Sequence, residues 1–290
     1  MQLDLYRVGE LIKSTRKLKG ISQKQLCNGI CTQSQLSKIE NGEAEPLFST
    51  IYYIAQRLDL NIDIIHEYGE NERSDYINDT YRLIEDLMNS RDYDTIYNLI
   101  SREINNQIFK SHKHNKYLQW HLGICHYYKT KDLHTALAII ESVLDLQLVT
   151  SQDIEILNSI GVLYCEEMLL DEACQYFLKG INFFEQIPDR SNKYIFIKLY
   201  YNYAVTLTRL NRHQNSLEIC FKGIDFCKKN KILFSLGEFH YHIGYNYSLL
   251  KNHLETVKYY NLALNIFKIE NSDFFISHVE NKLKEINNLS

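Results

Sequence analysis

The sequence predicts an all-α protein: a small head of five helices, then a stack of paired helices. Three observations predict it. Among 290 residues there are 11 glycines and two prolines, Pro46 and Pro188, so few breakers that helices can run with little interruption. Apolar residues recur at helical spacing, as in Val8, Leu11, Ile12, Thr15 and Leu18. Further along, three segments repeat one pattern of large and small residues in phase. An apolar fraction of 45% and a charged fraction of 23% are ordinary for a globular chain. The length leaves room for two domains, or one domain plus a repeat array.

The Val8–Leu18 stripe gives the first helix. Residues 20–46, GISQKQLCNGICTQSQLSKIENGEAEP, encode two more around a sharp turn. Ser22 with Gln25, and Thr32 with Gln35, are capping-box pairs in which a hydroxyl and an amide satisfy the free N–H groups of a helix start. Leu26 anchors the first of these helices, Gly29 sits where the chain reverses, and Ile30 follows as a plug. The second, about 33–40, buries Leu36 and Ile39 and leaves Gln33, Ser34, Ser37 and Lys38 outward. Asn41-Gly42 ends it with residues that tolerate the left-handed conformation. Two short helices joined by a tight turn form the helix-turn-helix unit, whose second helix enters the major groove. After Pro46 comes a helix over 47–58 with Leu47, Ile51, Ile54, Ala55 and Leu58 apolar, then a short one over about 62–66. The domains expected are a helix-turn-helix head over 1–69, a linker over 70–76 and a repeat domain over 77–290.

Charge is unevenly placed. Residues 1–42 hold seven basic and three acidic side chains, a net +4, so with −4 overall the remainder carries −8. A basic end on an acidic body suits a chain that offers one end to phosphates. The start lacks a basic segment followed by an apolar core, and no apolar run is long enough to span a membrane. A cytoplasmic, membrane-free protein is expected. Seven cysteines, an odd number with no C-x-x-C, argue against a disulfide framework or a zinc site. Cys27 and Cys31, four apart across the turn, suggest either a redox switch or two small core residues. The second reading is adopted.

The repeats align on small residues. Leu157, Ile160-Gly161, Tyr164, Ala173, Phe177 and Gly180 share their offsets with Tyr200, Tyr203-Ala204, Leu207, Ser216, Cys220 and Gly223. His240, Ile243-Gly244, Tyr247, Thr256, Tyr260 and Ala263 repeat them again. This is the tetratricopeptide pattern of two antiparallel helices, at a period of about forty rather than 34 residues. Pro188-Asp-Arg-Ser191 is one lengthened connection. A blurred copy spans about 117–146 around Leu122-Gly123 and Ala136, and 76–88 with 93–108 suggests another pair. Phe275, Val279, Leu283 and Ile286 mark a closing helix.

The head resembles helix-turn-helix domains of the lambda-Cro/434-repressor type. Arg16, Gly20 to Gln23, Leu26, the Thr32-to-Ile39 helix and Glu40-Asn41-Gly42 carry the resemblance. It implies that Arg16 and Gln23 approach phosphates and that Gln33, Ser34, Ser37 and Lys38 face base edges. Head and repeats together resemble the RNPP family of peptide-sensing regulators, and within it the PlcR-type regulators of Gram-positive bacilli. Stretches that carry this include ISQKQLCNGICTQSQLSKIENG, Tyr93-Asp-Thr-Ile-Tyr97 and Leu118-Gln119-Trp120. The resemblance implies a homodimer on a palindromic double-stranded DNA operator. It also implies control by a short secreted and reimported signalling peptide held in the groove of the repeats.

The first helix of each repeat lines that groove, and Asn158 and Asn202 fall there. An amide offers a donor and an acceptor to an extended peptide, and both match peptide-contacting asparagines of the PlcR-type pattern. At the matching place of the next repeat stands His242. The family's two basic residues after the first repeat helix correspond here to Asn89 and Arg91. Tyr201, Tyr241 and Tyr245 are candidate aromatic walls. No G-x-S-x-G, phosphate loop or H-E-x-x-H occurs, and His112/His114 and His240/His242 stand two apart, on different helix faces. Neither an enzyme nor a cofactor or metal is expected. Two alternatives stay open: a peptide-independent phage-type repressor whose repeats only dimerise, and a tetratricopeptide interaction scaffold.

Overall fold

The computed structural model describes residues 4–62, 65, 72–145, 150–187 and 192–287. Among them every regular element is helical: fifteen α-helices and one short 3-10 turn. The chain forms two compact units. One runs to Asp92 and includes Gln107–Phe109; the other holds Tyr93–Asn106 and the chain from Lys110 on.

The first unit contains α1 (Leu5–Leu18), α2 (Gln23–Cys27), α3 (Gln33–Glu40), α4 (Phe48–Arg57) and α5 (Glu72–Ser90). Asp4 caps α1 by accepting from the amides of Tyr6 and Arg7 at 3.1 and 3.2 Å. Both predicted capping boxes form, Ser22 with Gln25 and Thr32 with Gln35. The turn between α2 and α3 passes through Gly29 at φ 73°, a conformation costly for any residue with a Cβ. Gly42, at φ 72°, adds a close approach: a Cβ there would lie 2.6 Å from Tyr6 Cα. Val8, Ile12, Leu26, Leu36, Ile39, Ile54, Ala55, Leu58 and Ile65 form one buried core. Two residues assigned to apolar stripes fall outside it. Leu18, the last residue of α1, is 90% exposed, and Leu47, the N-cap of α4, is 75% exposed.

Of the expected fifth helix of the head, Ile62 and Ile65 are described, and both are helical. The boundary at residue 69 and the start of the linker lie outside the described residues. From Glu72 on, the expected linker is helix α5. Further along it, Tyr76 and Tyr81 pack on Phe109 at 6.2 and 6.5 Å between ring centres.

The second unit contains α6 (Tyr93–Glu103), α7 (His112–Thr130), α8 (Leu133–Glu141), α9 (Ser151–Glu166) and α10 (Leu170–Gln186). It continues with α11 (Lys193–Arg209), α12 (His213–Asn230), α13 (Leu236–Leu249), α14 (His253–Ile269) and α15 (Asp273–Asn287). Helices α7/α8, α9/α10, α11/α12 and α13/α14 form consecutive hairpins. The first helices α7, α9, α11 and α13 also touch in sequence, giving a continuous layer.

The small residues of the pattern explain this packing. A Cβ on Gly161 would lie 2.5 Å from the Phe177 ring, and one on Gly244 would lie 2.5 Å from Tyr260. Each glycine therefore lets the two helices of its hairpin touch. Gly180, later in the repeat, meets Leu199 of the next pair. The blurred copy obeys the same rule, with Gly123 against Ile140 and the carbonyl of Ala136. Filling such a contact costs about 1–3 kcal/mol.

Between α7 and α9 lies a buried ion pair, Lys116 Nζ to Asp153 Oδ1 at 2.7 Å. Asp153 also accepts from the amides of Asp145 and Thr150, so its burial is compensated. At the end, Val279, Leu283 and Ile286 of α15 cover Tyr260, Leu264 and Phe267. The predicted connection at Pro188–Ser191 lies outside the described residues. Among the described residues no helix is long and apolar enough to cross a membrane, and no cluster of metal-ligating side chains occurs.

Candidate nucleic-acid interface and peptide groove

In the head, α3 is held by its capping box and by Leu36 and Ile39 in the core, which fixes the opposite face outward. Gln33, Ser34 and Lys38 are exposed and Ser37 is half-buried. Together with Gln23, at the start of α2, they line one surface depression. Five of the six residues expected to meet DNA are thus brought together.

The sixth is a correction. Arg16 is 9% exposed, and its guanidinium is turned into the head rather than toward a phosphate. Its Nε and Nη2 reach Glu40 Oε1 and Oε2 at 2.5 and 2.9 Å, and Nη1 donates to Ile21 O at 3.0 Å. A fork so engaged has little left for a ligand. Gln23 is partly engaged too, its Nε2 donating to Glu40 Oε2 at 2.9 Å. Burial acts to raise the Glu40 carboxyl, but the bonds from Arg16 and Gln23 and the charges of Arg16 and Lys13 outweigh it and hold it below the usual carboxylate range. Glu40 therefore clasps the end of α3 to the end of α1 and the start of α2.

A second clasp was invisible in the sequence. Arg57 Nη1 donates to the carbonyls of Leu26 and Asn28, at 2.9 and 2.5 Å, at the open end of α2. The positive balance is confined to the stretch ending at Gly42; Glu43, Glu45 and Asp59 follow it on the surface.

In the second unit, Asn158 of α9 and Asn202 of α11 meet, Asn202 Nδ2 donating to Asn158 Oδ1 at 2.9 Å. That bond leaves Asn202 Oδ1 as an acceptor and Asn158 Nδ2 as a donor, the pair of functions an extended backbone needs. Tyr201 stands beside them, edge-on to Phe239 at 5.7 Å and to His242 at 5.9 Å. Tyr245 is 39% exposed and lies 6.1 Å from His242.

His242 is a further correction, because it is 5% exposed and belongs to a buried polar cluster rather than to an open groove. Its Nε2 lies 2.9 Å from Thr208 Oγ1, which lies 2.9 Å from Asn246 Oδ1. Asn246 Nδ2 donates to His242 O and Ser216 Oγ, and Ser216 donates to Ala204 O. Every hydrogen is used when Nε2–H donates to Thr208 and Thr208 donates to Asn246. Burial lowers the His242 imidazole to about 4, so it is neutral near pH 7. Arg91 is exposed and sits at φ 59°, just past the end of α5, and belongs to the first unit.

Comparison with known proteins follows the same division. The model of the RNPP family C-terminal domain matches residues 82–285, and a helix-turn-helix model matches residues 12–65. No curated protein matches the sequence significantly. Among solved structures, Bacillus thuringiensis PlcR in complex with the peptide PapR7 and DNA is similar, with a TM-score of 0.77 and 25% identity. The match covers 94% of this chain and 99% of that one. The Streptococcus dysgalactiae pheromone receptor Rgg2 has a TM-score of 0.70 at 14% identity, covering 96% and 99%. ComR from S. thermophilus, in complex with DNA and its signalling peptide ComS, has a TM-score of 0.55 at 15% identity, covering 97% and 99%. These last two share the fold. With the RNPP model spanning most of the chain behind a helix-turn-helix head, the chain belongs to the RNPP family of peptide-sensing transcriptional regulators.

Proposed function

We propose that this protein is a cytoplasmic regulator that binds a palindromic operator as a homodimer and is controlled by a short signalling peptide. The observation that carries the DNA half is the depression lined by Gln23, Gln33, Ser34, Ser37 and Lys38. On a helix seated in the major groove, Gln suits an adenine edge and Lys a guanine edge. Two heads related by a dyad then read half-sites about one helical turn, or a multiple of it, apart. The fork formed by Arg16 and Glu40 positions α3 for this role and touches no DNA itself.

The peptide half rests on the first-helix layer of the repeats, where the Asn158–Asn202 pair offers one donor and one acceptor. Repeat arrays use such a layer as an extended binding surface. PlcR, 25% identical over nearly the whole chain, was solved with a peptide and DNA, which supports the same pairing of ligands here. A secreted and reimported peptide is the source this family reading implies.

Gel shifts on DNA from the protein's own promoter region, with and without a peptide fraction of spent medium, test the reading. A peptide-dependent shift is expected. A shift that ignores the fraction would instead favour the peptide-independent repressor, and no shift at all would favour the interaction scaffold.

A further inference from the structure

We propose that Glu238 is a cation-recognising residue of the groove, so that the ligand is a peptide presenting a positive group there, an N-terminal ammonium or a Lys or Arg side chain. This rests on the peptide reading above and specifies its ligand. On α13, Tyr241 and His242 stand three and four residues after Glu238, and Tyr245 stands four and three after them, so the four share one face. That face meets α11: His242 reaches Thr208, and the rings of Tyr201 and His242 lie 5.9 Å apart. Glu238 lies one turn before His242, which holds in its repeat the place that Asn202 holds in the one before. The carboxylate therefore stands on the same strip as the free amide donor and acceptor.

What separates Glu238 from an ordinary acid in the first turn of a helix is the state of its second oxygen. Such acids interact with the helix end while keeping water at the carboxylate. Here the side chain is half-buried, and its Oε2 is covered and has no hydrogen-bond partner among the described residues. Burial pushes the carboxyl up, only its own backbone N–H acts against that, and no lysine or arginine contributes. A covered carboxylate oxygen without a partner is costly, and such groups are rare unless something else supplies the partner. An incoming cation supplies it. By contrast, Glu155, at the corresponding place of α9, already accepts from Asn192 Nδ2 at 2.5 Å.

Two bead libraries of random heptapeptides, one with free and one with acetylated N termini, should be screened on the full-length protein. The parent is expected to retain peptides carrying Lys or Arg at a fixed place, or a free N terminus; the two libraries tell these sources apart. For the retained peptides, Glu238→Gln should weaken binding about ten- to a hundredfold, and Glu238→Lys should abolish it. Because glutamine keeps the shape and the helix start, the thermal midpoint without peptide should stay near the parent's. Neutral, acetylated peptides that bind the parent and Glu238→Gln equally would overturn the role of Glu238 and leave the peptide reading standing. Retention of no peptide by the parent from either library would sink that reading, and this inference with it.

Discussion

Gln33 and Arg16 are both polar, both in the head, and yet do opposite work. Gln33 lies exposed at the first turn of α3 in the depression beside Ser34 and Lys38. Gln33→Ala should therefore cost roughly 1–3 kcal/mol on the operator and much less on random DNA, measured by quantitative footprinting. Equal losses on both would make Gln33 a backbone contact. Arg16 instead spends its fork on Glu40, inside the head. Glu40→Gln breaks a buried pair and leaves its partner charge uncompensated, a loss of about 3–5 kcal/mol, large enough to lower the melting temperature of the head visibly. The sign of the pH dependence follows. The folded Glu40 carboxyl is depressed, so the pair stabilises fully above the ordinary carboxyl value of about 4.3 and loses its effect as pH falls through the folded value. A melting temperature unchanged in Glu40→Gln would refute the clasp. The cysteines follow the same logic. Cys27 is buried, and burial together with Cys27 pushes the Cys31 thiol up, which suppresses the reactive thiolate. The double change of both to Ala should leave operator affinity unaltered in reducing and mildly oxidising buffer; if oxidation weakens the parent alone, a redox role exists. Sequence made the outward face of α3 legible because caps and apolar anchors fix helix rotation. It misplaced Arg16 because a basic residue near a phosphate-binding face and one pairing inward look alike until the acid at the far end of α3 is brought beside it.

Helix pairs were legible where a small residue and its large partner both recur. Gly161 with Phe177, and Gly244 with Tyr260, are single contacts written at two positions, and each copy reinforces the other. Residues 76–88 and 93–108 carry no such small residue. The sequence suggests a helix pair there, whereas α5 and α6 belong to different compact units. His242 was misread for a related reason. Its place in the repeat matches that of Asn202, but the longer imidazole reaches Thr208 and joins a buried cluster instead of lining a surface. His121, on α7, is buried likewise, with Nδ1 2.9 Å from Tyr117 O. Burial lowers both imidazoles to about 4, against about 6.5 for an unfolded chain. Between those values the unfolded state binds protons that the folded state does not. The second unit should therefore lose stability as pH falls from about 6.5 to about 4, by up to about 3 kcal/mol per histidine, and be insensitive to these groups above that range. Urea midpoints at about pH 7.5 and 5 measure it. The double variant His121→Phe, His242→Gln should show a shallower dependence than the parent, whatever its absolute stability. An unchanged slope would mean that neither ring is held neutral.

At the scale of the whole molecule, the question is whether peptide and operator communicate. In the proposed reading the operator meets the head and the peptide the repeat groove, so any communication is a coupling free energy between two sites, and such a coupling is reciprocal. If peptide raises operator affinity by some factor, operator must raise peptide affinity by the same factor, and typical couplings of 1–3 kcal/mol correspond to about 5- to 150-fold. The sequence announced the two partners through a basic stretch at one end and a repeat array behind it, but a coupling is a difference between states and leaves no motif. The measurement is a closed cycle, using a peptide recovered from the free-N-terminus library. Its affinity is titrated calorimetrically with and without an operator duplex, and the duplex is titrated with and without saturating peptide. Agreement of the two factors, both different from one, is expected for a peptide-controlled regulator. Asn202→Ala supplies the control. It removes the acceptor that the amide pair presents and its bond to Asn158, so it should weaken peptide binding by roughly 1–3 kcal/mol while leaving the peptide-free operator affinity of the dimer in place. Saturating the variant with more peptide should then restore the parent's operator affinity, because the loss lies in occupancy and not in the head. If saturating peptide leaves the operator affinity of the parent unchanged, the two sites are uncoupled, and control of DNA binding by the peptide has to be abandoned.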